Sequence, residues 1–360
     1  MARLIAADDL ADIARGAAVL GTGGGGDPYL GMLLAQLAIR AHGPVTLVEL
    51  DEVPDSACCA DAGGMGAPTV GVEKLASGDE HVRAFLALET ALGRPLTHVI
   101  CGEAGGSNST LPFVVAAHLG RPLVDGDAMG RAFPELQMAI PAIYGVSACP
   151  LALADQQGNV VILTAIDNRW TERIARAVTI EMGCTAALSS YVMDGATARR
   201  SLVPGTISLC QELGRLIVTA RAAHDDPVER VVERLGGRRL FGGRVTDVGR
   251  RTESGFARGH ALIAGADRWR DQECRVEFQN EHLVAIRDGQ LVASVPDLII
   301  VLDTDTAEPV TTEQLRYGLR VTVVAAPCDP RWRSPAGLAL VGPRYFGYAF
   351  DHVPVEDGGD

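Results

Sequence analysis

An N-terminal α/β domain on a largely parallel sheet, followed by a C-terminal β-rich domain, is the fold the sequence predicts. Three observations carry that expectation. Apolar runs of strand length alternate with helically periodic segments up to about residue 130. From residue 238 the chain turns to short Val/Ile-rich runs set off by Gly, Asp and Pro. The 360 residues also suggest about two domains, at roughly 150 residues per domain.

In order, residues 4–20 (LIAADDLADIARGAAVL) place apolar side chains at helical spacing. The Gly-rich GTGGGGDP follows at 21–28, where Asp27 then Pro28 read as an N-cap and first helical position. That helix is expected to reach about Arg40. PVTLVEL (44–50) reads as a strand, and SACCADAGG (56–64) as a strand leading into a loop. A helix near 80–92 precedes the strand THVICGEA (97–104). A helix over Thr110–Leu119 precedes RPLVDGDAMG (121–130), a strand with a glycine exit. Residues 169–236 read as largely helical and bridge the two parts. Beyond them RLFGGRVTDVGR, FARGHALIAG, CRVEFQNEHLVAIRDGQLVAS, DLIIVLD and RVTVVAAP read as strands. The division expected is 1–172 for the α/β domain and 173–360 for a helical connector plus the β-rich domain.

Composition removes several function classes. Lys plus Arg number 32 and Asp plus Glu 45, a net charge of −13. Nucleic acids and anionic membranes need clustered positive charge, so neither is an expected partner. Asp8 and Asp9 stand where a signal peptide would be apolar, and no apolar run approaches 18 residues. The eight cysteines include no C-x-x-C pair, so a cytoplasmic protein with reduced thiols is expected.

Three strand exits carry acids beside glycine: Asp61-Ala62-Gly63-Gly64, Glu103-Ala104-Gly105-Gly106 and Asp125-Gly126-Asp127. In a parallel sheet all three leave at one edge, where ligands of open α/β sheets bind. One crevice lined by Asp61, Glu103, Asp125 and Asp127 is therefore expected. The bland alternative is ordinary βα turns with capping acids. Gly21–Gly26 satisfies G-x-G-x-x-G, but a helix precedes it and Glu49 lies 23 residues past Gly26. Dinucleotide binding lacks its context. Thr22, Gly23, Gly24, Gly25, Gly26 and Asp27 remain as a substrate-binding loop whose N–H groups face an oxyanion or imide oxygen, or else as a helix–helix corner. Arg131 offers a fork for an anion, unless Glu135 pairs with it. G-x-S-x-G and H-E-x-x-H are absent. Ser107–Thr110 reads as a helix N-cap region, with Asn108 facing substrate. Asn280, Glu281 and Asp297 close the crevice from the second domain, or serve as turn and cap residues.

Taken together, GTGGGGDPYLG (21–31), GGMGAPTVGVEKL (63–75), CGEAGGSNS (101–109), DGDAMGRAFPELQM (125–138), FQNEHLVA (278–285), VPDLI (295–299) and VGPRYFGY (341–348) resemble the DUF917 family, also called S-methyl-thiohydantoin desulfurase-like. The resemblance covers nearly the whole chain. It implies both domains, an association with hydantoin utilisation and a hydrolase acting on a thiohydantoin or hydantoin ring. On that reading Asp125 or Asp127 is the general base and Glu103 a second acid. Arg131, Glu135 and the glycine N–H groups serve the intermediate. A divalent metal held by Glu103, Asp125 and Asp127 stays open, and no nicotinamide or flavin is expected. The alternatives are a non-catalytic partner of a hydantoinase or oxoprolinase, and a homo-oligomer.

Overall fold

In the computed structural model the chain forms two sheets joined by helices; residues 2–357 are described, apart from 67–69, 71, 72, 75 and 254. All of these but residue 254 fall in the segment GGMGAPTVGVEKL (63–75), of which 67–69, 71, 72 and 75 therefore lie outside the described residues.

The first sheet is assembled from β1 (Arg3–Ile5), β2 (Val45–Glu49), β3 (Cys58–Gly66), β4 (His98–Cys101), β5 (Leu123–Asp127), β6 (Leu151–Ala154), β7 (Val160–Leu163) and β8 (Thr185–Ser189). Its spatial order is β1-β2-β5-β4-β3-β8-β6-β7. The four central strands β2, β5, β4 and β3 run parallel. The alternation of strand and helix requires this, because a crossover helix returns the chain to the same end of the sheet. The crossovers are α3 (Asp79–Leu92) from β3 to β4 and α4 (Leu111–Leu119) from β4 to β5, whereas α1 (Leu10–Leu20) and α2 (Pro28–His42) link β1 to its antiparallel neighbour β2. Asp27 caps α2 as its sequence predicts, accepting from the Tyr29 and Leu30 N–H groups, with Pro28 at the first helical position.

Three local expectations are corrected. Residues 3–5 are a strand rather than helix, because they pair with β2 at the sheet edge. Residues 56–64 do not end in a loop. β3 runs on to Gly66, exchanging its parallel partner β4 for the antiparallel partner β8. β8 itself lies within the stretch expected to be largely helical. Its sequence TAALS is short and alanine-rich, a weak strand signal on its own.

The connector otherwise is helical: α6 (Asn168–Glu181), α7 (Gly195–Ser201), α8 (Thr206–Ala222) and α9 (Pro227–Leu235), following the single-turn α5 (Ile140–Ile143). The two-residue β9 (Met193–Asp194) pairs with Cys59 and Cys58 at the start of β3, and between α7 and α8, β10 (Val203–Pro204) pairs with Asp127 and Gly126 at the end of β5. α8 packs along α1. A β-carbon on Gly16 of α1 would lie 1.8 Å from the Cys210 carbonyl oxygen of α8, so the helix backbones touch there.

The second sheet is seven-stranded and antiparallel, with order β15-β14-β13-β12-β11-β17-β16. Its strands are β11 (Arg238–Glu253), β12 (Phe256–Gly265), β13 (Glu273–Gln279), β14 (Glu281–Arg287), β15 (Gln290–Ser294), β16 (Leu298–Asp303) and β17 (Arg320–Ala326). β16 shows how the domains join. Leu298, Ile300 and Leu302 pack into the core of the first sheet, while Ile299 and Val301 face a separate core inside the second. Period-two alternation gives each strand face its own core, which is why DLIIVLD is apolar throughout.

The Gly16 contact leaves no room for a side chain. We expect Gly16→Ala to cost roughly 2 kcal/mol, net of the better helix propensity of alanine. Thermal unfolding should show a Tm several degrees below wild type. An unchanged Tm would mean that α1 and α8 are not packed backbone to backbone.

Candidate active site

The glycine loop is the local cause of the site. Thr22, Gly23, Gly25 and Gly26 all have positive φ. At Gly25 (φ +83°) a β-carbon would sit 2.4 Å from the Gly105 carbonyl, so two glycine loops lie back to back. The Gly25 and Gly26 carbonyls accept from the N–H groups of Asn108 and Ser107. On the other side the Thr22 carbonyl accepts from His282 N–H (2.8 Å), and the Gly23 carbonyl from Thr312 N–H (2.9 Å). One loop thus ties the parallel sheet to the antiparallel one.

Beside this junction lies a cavity of about 370 Å³. Gly25, Gly26 and Asp27 form one lip, and the N–H groups of Gly25 and Gly26 have no acceptor among the described residues. Asp61 of β3, Glu103 after β4, Asn108, Glu135, and Asn280 and Glu281 at the β13–β14 turn also line it. The site therefore draws on both domains.

Glu103 is held rather than free. Its Oε1 accepts from Asn108 Nδ2 (2.6 Å), and its Oε2 from Phe133 N–H (3.3 Å). The Asn108 side chain is itself clamped to both backbone groups of Gly64 on β3. Burial pushes the Glu103 carboxyl up to about 7; Asn108 and Phe133 oppose that rise and the Asp127 charge adds to it. Burial also raises Asp61 to about 6, against its bonds from Ser190 N–H and Ser190 Oγ. Glu281 is raised well above the usual carboxylate range, first by burial and then by the Glu103 charge. Among the described residues its Oε2 has no hydrogen-bond partner, and a β-carbon on Gly24 would lie 2.0 Å from its Oε1. The Glu103 charge thus opposes the ionisation of Glu281 across the domain junction.

His81, on the first turn of α3, lines the same cavity. Its Nδ1 lies 3.1 Å from the Gly63 carbonyl, which only accepts, so Nδ1 carries the proton and Nε2 a lone pair. Burial lowers its pKa and keeps the ring neutral. A lone histidine at a helix start belongs to no motif, so the sequence carries no signal for it.

A family model described as "S-Me-THD-like, N-terminal domain" matches residues 8–165, and "S-Me-THD-like, C-terminal domain" matches 166–355. The chain belongs to the S-Me-THD-like family. The crystal structure of a protein from Chromobacterium violaceum is similar to this S-Me-THD-like chain with a TM-score of 0.83 at 25% identity. The match covers 98% of this chain and all of that one. None of the curated proteins compared matches.

Within this S-Me-THD-like chain the expected four-acid crevice is halved. Asp61 and Glu103 face the cavity, whereas Asp125 and Asp127 do not line it. β10 and α8 close over the end of β5 and take its acids into the protein. Asp125 accepts from Ser208 N–H and Oγ on α8. Asp127 accepts from the N–H groups of Ala104, Met129 and Gly130. Nor do these residues fit a metal. Among the described residues no group of three or more His, Cys, Asp or Glu side chains could hold one.

Arg131 is likewise committed. Its Nε donates to the Ala132 carbonyl (3.0 Å) and its Nη1 to the Pro296 and Asp297 carbonyls (2.8 Å each). Nη2 donates to Thr22 Oγ1 (2.8 Å). It makes no pair with Glu135, which instead accepts from Tyr345 OH (2.7 Å) and Gln137 Nε2. Thr22, Gly23 and Gly24 stand behind the lip, not on it. Asn280 reaches the cavity wall while its Oδ1 accepts from Ala257 N–H. Asp297 lies outside, accepting from Arg333, Cys328 N–H and Val355 N–H.

Glu103 and Asp61 hold protons more tightly folded than unfolded. The folded form therefore carries the extra protons between the ordinary carboxylate range near ~4 and about 7. Stability from this source is greatest at the acid end of that window and is lost as pH rises through about 6 to 7. We expect the wild-type Tm to fall between pH 5 and pH 8, and to fall by several degrees less in Glu103→Gln. Parallel Tm profiles would contradict a raised Glu103 pKa.

Proposed function

We propose that the chain is a hydrolase acting on a thiohydantoin- or hydantoin-type ring held in the cavity between its domains. The observation that carries this reading is the Glu103–Glu281 pair. Two buried carboxyls on one cavity, with the Glu103 charge helping to keep Glu281 protonated, supply one carboxylate and one carboxylic acid at the same pH. Membership of the S-Me-THD-like family supports the choice of ring.

For a thiohydantoin the proposed sequence balances as follows. Glu103 takes a proton from water, whose oxygen bonds to the thiocarbonyl carbon. The C=S pair moves onto sulfur, facing the Gly25 and Gly26 N–H groups, which act as preorganised donors. Glu281 then delivers its proton to sulfur. As the carbonyl forms, the C–S bond breaks and the hydroxyl proton passes to Glu281. The proton on Glu103 leaves with the sulfide as hydrogen sulfide. Both carboxyls return to their starting states, and the ring keeps an oxygen where it had sulfur. The His81 Nε2 lone pair accepts a ring N–H and orients the heterocycle.

Sulfide release from a panel of thiohydantoins tests this. Glu103→Gln and Glu281→Gln should each lower kcat/KM by about 10²–10⁴-fold. In the wild type kcat/KM should rise with pH through about 7, as Glu103 ionises. Asp125→Asn should stay within a few-fold of wild type, because Asp125 serves α8. Near-wild-type sulfide release by both Gln variants would end the assignment.

A further inference from the structure

We infer that the ring bound in this cavity carries an uncharged apolar substituent at carbon 5, the size of a leucine, methionine or phenylalanine side chain. The inference rests on the reading of the cavity as a hydantoin-type site and names the substrate class within it.

Helix α2 is apolar on two faces. One face, with Gly31, Ala35 and Ala38, is buried. The other presents Leu30, Leu33 and Leu37 at i, i+3 and i+7, and these line the cavity instead of a protein core. Leu37 at the outer end is 62% exposed. Across the cavity stand Leu111, Leu136 and Leu188. The polar groups of the proposed chemistry gather at the strand ends. A bare five-membered ring seated there would leave the leucine face of α2 against water. An apolar substituent covers it, and removing that surface from water favours binding.

The charged groups of the walls are already hydrogen-bonded within the protein. The Arg176 guanidinium donates to Glu172, to the Gly255 carbonyl and to the Pro134 carbonyl, while Lys74 Nζ donates to the Met182 carbonyl (2.6 Å). The acids away from the reacting end are equally engaged. Glu80 accepts from Ser77, Glu135 from Tyr345 and Gln137, and Asp155 from Asn159 and Gln157. A charged substituent would have to draw these groups away from their present partners or lie desolvated beside the leucines.

The test is calorimetric binding of hydantoins to the full chain, with sulfide release from the matching thiohydantoins. The series is 5-isobutyl, 5-benzyl, unsubstituted, 5-carboxymethyl and 5-(4-aminobutyl). We expect the isobutyl and benzyl rings to bind at least about tenfold tighter than the unsubstituted ring, and the charged rings no tighter than it. Leu33→Asn, and separately the more exposed Leu37→Asn, should shrink that advantage several-fold. Sulfide release from the whole series with equal affinities, or a charged ring binding best, overturns this inference and leaves the hydrolase reading standing. No binding and no turnover for any ring overturns both.

Discussion

Two protein layers meet across a loop that has almost no side chains, and that close contact is the constraint on which the rest of the structure depends. The loop from Thr22 to Gly26 gives its carbonyls to both domains, to Asn108 and Ser107 on one side and to His282 and Thr312 on the other. Beneath it Arg131, fully buried, spends its donors on backbone carbonyls and the Thr22 hydroxyl. A buried guanidinium is tolerated only when its fork is filled, and here the fork fastens Pro296 and Asp297 to the α/β domain. The Phe133 ring stacks 4.4 Å from the same guanidinium. Phe133 in turn meets Trp332 edge-on, and Trp332 donates to the Met129 carbonyl. Substituting anywhere in this knot would loosen both the junction and the cavity wall that it supports.

The cavity inherits its chemistry from that junction. The many ion pairs on the surface, such as Arg234 with Glu212, are exposed and contribute little. Glu103, Glu281 and Asp61 are instead buried where no cation neutralises them directly. Their raised pKa values follow from desolvation, with the Asp127 charge adding at Glu103 and the Glu103 charge at Glu281, against hydrogen bonds from Asn108, Phe133 and Ser190 that favour the ionised forms. Groups whose ionisation is frustrated in this way can exchange protons near neutral pH, which is what water activation requires.

Much of the architecture was legible in the sequence. The strand–helix alternation, the Asp27-Pro28 helix start and the Val/Ile-rich runs after 238 all reflect local preferences that the fold respects. The site was legible in part. The acid-Ala-Gly-Gly exits mark Asp61 and Glu103, and both face the cavity. The same argument also selected Asp125 and Asp127, because glycine-flanked acids at a strand end look alike whether they meet a ligand or a helix. Their fate depends on β10 and α8, nearly 80 residues away in sequence, folding back over β5. Arg131 and Asp297 misled for a similar reason: each is a charged residue beside a glycine or proline, and each is used to hold backbone.

The sequence by itself determined most of the segments that form strands and helices, that two domains follow one another, and that acids gather where parallel strands end. These depend on periodicity and on residues near in sequence. Only the tertiary structure decided which acids share a cavity and which proton each would hold. It placed Glu281 against Gly24 and His81 against Gly63, contacts between residues more than 250 and nearly 20 positions apart in the chain. Burial and electrostatic coupling depend on what surrounds a group in space, and no local pattern of residues encodes that.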